Sequence, residues 1–133
     1  MTFLQWYDTL AKPSWTPAPG TISFIWTLLY PVIAVTFGYV FLQSFRGKIP
    51  WKIAALFAVN LLANLLFMPI FAGLRHVSLA AVDILIVWAS LLGCIIAIWP
   101  FARWVAIAQA PYFLWVSIAM VLQMAIVAMN WNS

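Results

Sequence analysis

Four stretches of this chain are apolar over about 20 residues or more, which is the length that a helix needs to cross a bilayer. They lie at about 21–44, 51–72, 79–99 and 101–130, and each contains at most one charged residue. Hydrophobic residues make up 68% of the chain and charged residues 6%, too apolar a balance for a soluble domain of this size. The sequence therefore predicts an all-α, polytopic transmembrane helix bundle with four spans.

Prolines and polar turns divide the spans. Pro31, Pro69 and Pro111 fall inside apolar stretches, where a missing N–H bends or interrupts a helix. Ser78 follows a short polar turn and is the residue type that favours an N-cap, so we expect it to begin the third span. We expect the fourth span to be one helix over about 101–130.

The first 20 residues differ from the spans and complete a single transmembrane domain over 1–133. Phe3, Trp6 and Tyr7 share one helical face of a stretch that is too short to cross a bilayer, which predicts an interfacial helix. A proline loop, residues 12–20, follows and carries Trp15. Because prolines fix φ and remove donors, this loop is stiff and extended. We expect it to cover the mouth of an apolar pocket.

Polar side chains inside a membrane usually face the bundle interior or a cavity. At 100° per residue each span has one stripe of aromatic and weakly polar side chains. The residues expected to bind a ligand are Trp15, Trp26, Tyr30, Asn60, Asn64, Phe67, Trp115, Ala119 and Gln123. Two interpretations stay open: interhelical hydrogen bonds that hold the bundle together, or a cavity for a flat, largely apolar ligand with a few amides to orient it. We favour the cavity.

The sequence argues against ordinary hydrolytic or transfer catalysis. The chain has only two acids and one histidine, and we recognise no paired carboxylates and no Ser-His-Asp triad among them. His76 has no second ligand at suitable spacing, so we expect no protein-built metal site. Asp83 is the single acid inside a predicted span and a weak catalytic candidate. Six basic residues are scattered among loops rather than clustered, which argues against nucleic acid as a partner. The partners that we expect are the lipid bilayer and a small hydrophobic ligand.

The basic loop residues predict an orientation. Arg46, Lys48, Lys52 and Arg103 fall on one side of the membrane, and residues 12, 75 and 76 supply the cations of the other side. The positive-inside rule places the first set in the cytoplasm and both termini outside.

Several motifs, in this order and spacing, resemble the TspO family, also called translocator protein, peripheral benzodiazepine receptor or tryptophan-rich sensory protein. The resemblance covers nearly the whole chain. The motifs are Trp6-Tyr7, Lys12-Pro13-Ser14-Trp15-Thr16-Pro17, Trp26-Thr27-Leu28-Leu29-Tyr30, Asn64, Pro69-Ile70-Phe71 with Gly73, Val82-Asp83 and Pro111-Tyr112-Phe113-Leu114-Trp115.

This resemblance implies a helical bundle without a built-in cofactor that binds porphyrin or haem-type tetrapyrroles and other lipophilic molecules. By position, Trp15 would belong to the covering loop, Trp26, Asn64 and Trp115 would contact the ligand, and Tyr30 would support them. It also implies a multi-pass protein of the bacterial inner membrane that acts in sensing, transport or regulation. Some family members promote light-dependent porphyrin breakdown.

The chain also departs from the family pattern. Family members have five spans, and the first of them, which precedes the proline loop, would be absent here. Phe67 and Leu79 stand where the family commonly has tryptophan, and Gln123 stands where it has asparagine. A partner subunit could replace the absent helix, or the chain could form a homodimer through the small residues Ala54 and Ala58.

Two alternative functions stay open. The first is a membrane enzyme that transforms a tetrapyrrole or a polyene or isoprenoid substrate, with Asp83 as proton donor. The second is a structural subunit of a larger membrane complex. Both alternatives keep the four-span bundle. In the first it contacts a substrate, and in the second it contacts other subunits.

Overall fold

A computed structural model describes residues 2–130 of the chain. Its helices are α1 (Phe3–Thr9), α2 (Pro19–Phe45), α3 (Trp51–Met68), α4 (Val77–Ile98), α5 (Arg103–Ala108) and α6 (Ala110–Met129). A π-helical turn, Pro69–Gly73, continues α3 directly. Within the described range there is no strand, so the all-α prediction is confirmed.

Four helices are long and apolar enough to cross a membrane: α2, α3 with its π-helical turn, α4 and α6. Their bounds agree with the four predicted spans to within a few residues, except at the start of the fourth. α2 continues through Pro31 without interruption of its helical assignment. The prediction of four spans is confirmed for residues 2–130.

The fourth predicted helix is wrong in one respect, because residues 101–130 form two helices rather than one. α5 ends at Ala108, and α6 begins at Ala110 on the other side of Gln109. Pro111 lies in the first turn of α6, where its missing N–H costs nothing. Its ring would clash with the carbonyl of residue 107 in a continuous helix, so the chain restarts the helix just before the proline.

The cap of α4 also differs from the prediction. The N-cap is His76, not Ser78, and the Nδ1 atom of His76 accepts a hydrogen bond of 2.9 Å from the Leu79 backbone N–H. Arg75 immediately before it has a positive φ of 51°, which turns the chain sharply from the π-helical turn into α4. This turn sets the helix start two residues earlier than the hydroxyl of Ser78 would.

α4 is the central helix of the bundle and packs along both α3 and α6. Gly93 permits the close approach of α3, since a Cβ atom at this position would lie 3.2 Å from Leu56 Cδ2. Phe57, Leu91 and Val116 are completely buried where these helices meet. α2 and α5 complete the core, to which α2 contributes the buried side chains of Phe37 and Val40.

A buried polar layer joins α3, α4 and α6. Asn60 of α3 donates to the carbonyl of Val87 (2.9 Å) and to Ser90 Oγ (3.1 Å), both on α4. Tyr112 of α6 donates its hydroxyl proton to Asn60 Oδ1 (2.9 Å) and accepts from Asn64 Nδ2 (2.7 Å). In lipid no water can replace these bonds, so the layer fixes the rotation of all three helices.

We predict that Tyr112→Phe destabilises the protein, because Asn60 Oδ1 loses its donor and Asn64 Nδ2 loses its acceptor in a dry interior. The expected loss is about 1–3 kcal/mol in the free energy of unfolding. Thermal unfolding in detergent measures it. Tyr39→Phe is the matched control, because Tyr39 packs on Trp104 without a hydrogen bond from its hydroxyl within the described chain. Equal midpoints for the two variants would contradict a stabilising role for the layer.

Candidate functional site

An apolar cavity of about 580 Å³ lies between α1, α2, the end of α3 with its π-helical turn, α4 and α6; we call it the slot. Its walls are mostly aromatic and aliphatic side chains. Seven of the nine residues expected to bind a ligand line it. These are Trp26, Tyr30, Asn64, Phe67, Trp115, Ala119 and Gln123. The structure thus brings together predicted residues from three of the spanning helices.

Two of the nine residues lie elsewhere. Trp15 is half exposed on the proline loop and does not line the slot. Asn60 is completely buried one helical turn deeper than Asn64, and all its hydrogen bonds belong to the polar layer. The structure therefore gives Asn60 the interhelical role that the sequence left open for each amide.

Asp83 is buried on α4 but does not line the slot. Its Oδ2 atom has no hydrogen-bond partner within residues 2–130. A proton donor must reach its substrate within hydrogen-bond distance or through one water molecule. The slot and Asp83 are therefore separate features of the structure.

Helix α1, rather than the Trp15 part of the loop, covers the slot. Phe3 and Tyr7 line the slot from α1, and the ring centroids of Phe3, Trp6 and Tyr7 lie 5.9, 5.4 and 6.1 Å from that of Phe71. Phe71 belongs to the π-helical turn and is almost fully buried. The irregular turn thus presents one ring that holds the covering helix in place.

Polar contacts fasten both ends of α1. At its start Thr2 and Gln5 form a capping box, with bonds of 2.9 and 3.2 Å. At its end Lys12 Nζ donates to the carbonyls of Tyr7 (2.7 Å) and residue 10 (3.0 Å). These bonds stabilise a helix that is too short to be stable alone.

A second set of bonds ties the chain after α1 to the end of α6. The side-chain amide of Asn130 accepts from the Ala11 N–H (3.0 Å) and donates to the Ala11 carbonyl (2.8 Å). This pair of bonds connects residues 119 positions apart. We call the Asn130–Ala11 pair the latch, since it holds the covering helix against the bundle.

Flat rings line two walls of the slot. On α2 the ring of Trp26 stacks on that of Tyr30, at 5.3 Å between centroids and 26° between planes. On the α3 side Phe67 and Phe71 lie 5.6 Å apart at 31°. Such faces provide large, rigid apolar contact for another flat molecule.

Few of the slot residues are polar, and some of their polar atoms have no hydrogen-bond partner within the described chain. Trp115 is 8% exposed and its Nε1–H has no acceptor within the described chain. Asn64 uses its Nδ2 group to reach Tyr112, and no described residue donates to its Oδ1 atom. Gln123 donates to the Val77 carbonyl at 3.0 Å. Two slot residues, Trp115 and Asn64, therefore each keep one polar atom without a hydrogen-bond partner within the described chain.

The slot is electrically neutral, since no Asp, Glu, Lys, Arg or His is among its described lining residues. Tyr7 contributes a neutral hydroxyl, because burial and then the nearby charge of Asp8 raise its pKa. His76 lies outside the slot, where it caps α4. Within residues 2–130 no group of three His, Cys, Asp or Glu side chains is placed to hold a metal ion.

A second cavity, also of about 580 Å³, lies on the other face of α1 and is lined by polar and apolar side chains in about equal measure. Trp6, Thr9 and residues 74–78 contribute to its lining, and Arg75 approaches the Trp6 ring at 5.9 Å. α1 therefore separates the largely apolar slot from a cleft that is more polar. The sequence did not predict this cleft, because it depends on how α1 lies against the turn before α4.

Several slot residues, from α1 and from the first turn of α2, lie outside the predicted ligand-binding set. Phe3, Leu4 and Tyr7 were expected at the membrane interface, and Pro19 and Gly20 in a loop. The aromatic face of residues 2–11 was the available signal. Its use needed the position of Phe71, which only the folded chain supplies.

Several known proteins are similar to this chain. Protein CrtK of Rhodobacter capsulatus is 28% identical over 94 residues, which are 71% of this chain and 59% of that protein. The tryptophan-rich protein TspO of Bacillus cereus is 37% identical over 83 residues, 62% of this chain and 52% of that protein. The tryptophan-rich sensory protein of Cereibacter sphaeroides is 27% identical over 128 residues, 96% of this chain and 78% of that protein.

The chain thus spans between about half and four fifths of the length of these relatives. The model of the TspO/MBR family matches residues 1–129. Because this match covers nearly all of the chain, and because its four apolar helices and motifs agree with it, the chain belongs to the TspO/MBR family.

Proposed function

We propose that this protein binds a planar, largely apolar molecule in the slot, for sensing, transport or regulation. A porphyrin or haem-type tetrapyrrole is the first candidate class. The observation that carries the proposal is the slot itself, a largely apolar cavity of about 580 Å³ with aromatic walls. Trp115 is one of its lining residues, and the Nε1–H of this indole has no acceptor within the described chain. Buried donors nearly always have acceptors in proteins, so a ligand acceptor is the natural partner for this one.

The shape and chemistry of the slot support a flat ligand. Its volume lies within the range of about 300–1,000 Å³ that small-molecule sites occupy. Rings on α2 and on the π-helical turn offer two aromatic walls. Trp115 as donor and Asn64 as acceptor fix the orientation of a molecule that dispersion forces alone would leave free to slide.

The neutrality of the slot bears on which part of a tetrapyrrole enters it. Burying an unpaired carboxylate costs far more than burying an apolar ring. The conjugated body would therefore occupy the slot, and any acidic substituents would stay at its mouth. A metal-free macrocycle suits the site better than haem, because no described His or Cys lines the slot as an axial ligand.

The two alternative functions have less support. An enzyme with Asp83 as proton donor needs that carboxyl group at the substrate, and Asp83 does not line the slot. Loss of turnover in Asp83→Asn with unchanged ligand affinity would favour the enzyme. A purely structural subunit needs no ligand site. That function would therefore leave the unpaired Trp115 donor unexplained.

The membrane context of the proposal follows from the charges of the loops. We place the α2–α3 and α4–α5 loops in the cytoplasm of a bacterial inner membrane and both termini outside. A homodimer through Ala54 and Ala58 stays a proposal, and so does a partner subunit that supplies a further helix. Ala58 is exposed and Ala54 half-buried, so this face is open to either partner.

We predict that protoporphyrin IX quenches the tryptophan fluorescence of the purified protein saturably. Trp115→Phe keeps the ring area but removes the donor, so the dissociation constant should rise about 2- to 10-fold, the equivalent of one hydrogen bond. Trp26→Phe should weaken binding similarly through loss of stacking area. Titration of detergent-solubilised protein measures both.

Trp51→Phe is the matched control, since Trp51 is exposed at the opposite end of α3. It should lose emission without losing affinity. Absence of saturable quenching in the unsubstituted protein would refute tetrapyrrole binding. Equal affinities for the three variants would refute the slot as its location.

We further predict that the latch controls the rate at which a ligand exchanges. Asn130→Ala removes both bonds to Ala11, so α1 should open more often, with association and dissociation each faster by about 5-fold and affinity nearly unchanged. Stopped-flow quenching by protoporphyrin IX measures the two rates. Thr16→Val is the control, because Thr16 bonds only within the loop, to the Pro13 carbonyl. Unchanged rates in Asn130→Ala would count against α1 as a gate.

A further inference from the structure

The net charge of the chain resides at one end of the bundle. Arg46, Lys48, Lys52 and Arg103 provide four positive charges there, equal to the formal net charge of +4. The remaining two cations and the two carboxylates, Asp8 and Asp83, cancel each other. We call the four residues the basic rim.

The fold brings the basic rim together from three segments. Arg46 and Lys48 lie in the turn after α2, and Lys52 lies in the first turn of α3. The beginning of α3 packs antiparallel to the end of α4, as Gly93 beside Leu56 indicates. Arg103 begins α5, which follows α4 within a few residues. All four side chains are exposed, and none of them takes part in an ion pair within residues 2–130.

Exposed aromatic rings accompany these cations. Phe45 is 91% exposed and Trp51 69%, and each is adjacent in sequence to a rim residue. Trp99, Phe101 and Trp104 surround Arg103 in sequence and are about half exposed. The guanidinium group of Arg103 lies over the Trp99 ring at 5.4 Å. Such rings are stable at the boundary between acyl chains and headgroups, where one side is apolar and the other wet.

We propose that the basic rim binds the phosphate groups of anionic glycerophospholipids in the leaflet that it faces. The rings set the depth: with Trp51, Trp99 and Trp104 at the headgroup boundary, the neighbouring cations lie at the level of the lipid phosphates. A soluble anion would contact the charges but would leave the exposed faces of these rings without apolar contacts. An acidic protein would have to displace the lipids that already cover them. The proposal is independent of what the slot binds.

The test uses bilayers of dioleoyl phosphatidylcholine containing a phosphatidylglycerol with brominated acyl chains. Bromine quenches tryptophan at short range, so quenching against mole fraction gives the binding constant of the anionic lipid relative to the zwitterionic one. We expect a preference of at least about 5-fold, the equivalent of one lysine or arginine near an anionic surface. Raising NaCl from about 0.1 M to 1 M should reduce it, because the Debye length falls from about 10 Å to 3 Å.

Two matched variants assign the preference to the rim. R46Q/K48Q/K52Q/R103Q removes four charges from exposed positions and should bring the relative binding constant to about 1. R46K/K48R/K52R/R103K keeps every charge and should keep the preference. Far-UV circular dichroism and the thermal midpoint show whether the variants fold. If the fourfold glutamine variant fails to fold, the single variant Arg103→Gln replaces it. We expect its relative binding constant for the anionic lipid to be about 5-fold smaller than that of the unsubstituted protein.

Three results would overturn the proposal. The unsubstituted protein could show no preference for the anionic lipid, or the glutamine variant could keep the preference. Alternatively, inorganic phosphate at constant ionic strength could abolish the quenching by brominated phosphatidylglycerol in the unsubstituted protein. That last result would indicate a site for a soluble anion instead of a lipid surface.

Discussion

The hydrogen bonds among Asn60, Asn64, Tyr112 and α4 are the constraint on which the rest of the structure depends. In a bilayer the apolar faces of helices gain little from contact with one another, since lipid tails are equally apolar. The relative orientation of the helices must therefore be set by close packing and by polar groups that form hydrogen bonds with one another. The layer fixes α3, α4 and α6 as one unit, with Gly93 allowing the closest approach. The second half of α2 packs on this unit through Phe37 and Val40, and the slot lies beside its first half, residues 19–30.

The covering of the slot depends on one backbone irregularity. Pro69 cannot donate to the helix, and the chain accommodates it with a π-helical turn that rotates Phe71 toward α1. Phe71 then contacts three rings of α1 while Phe67 beside it faces the slot. A ligand that packs on Phe67 and Tyr7 would thus stabilise the docking of α1. Under the proposed function, ligand binding and the docking of α1 would be coupled through the same aromatic cluster.

Much of this fold is predictable from sequence, because lipid simplifies the physics. Runs of apolar residues give the four spans, and a 100° periodicity places Trp26, Asn64 and Trp115 on inward faces. Helical periodicity shows toward which side of the helix a side chain points, but not which neighbour it reaches at its level in the bundle. It could not show that Asn60, on the same stripe as Asn64, reaches α4 instead of the slot. It says nothing about Trp15, whose loop has no helical period, or about His76, which caps α4 because of the turn at Arg75.

A binding site inside a membrane faces a competitor that soluble sites do not, since lipid tails are abundant and apolar. Aromatic walls alone would accept an acyl chain nearly as well as a conjugated ring. If the proposed ligand accepts a hydrogen bond from Trp115 Nε1, this balance changes, because an acyl chain would leave that donor unsatisfied. A buried polar group without a partner costs about 1–3 kcal/mol, which corresponds to roughly 5- to 150-fold in affinity. Under the proposed function, a ligand with an acceptor at that position would avoid this cost and would therefore bind in preference to the surrounding lipid.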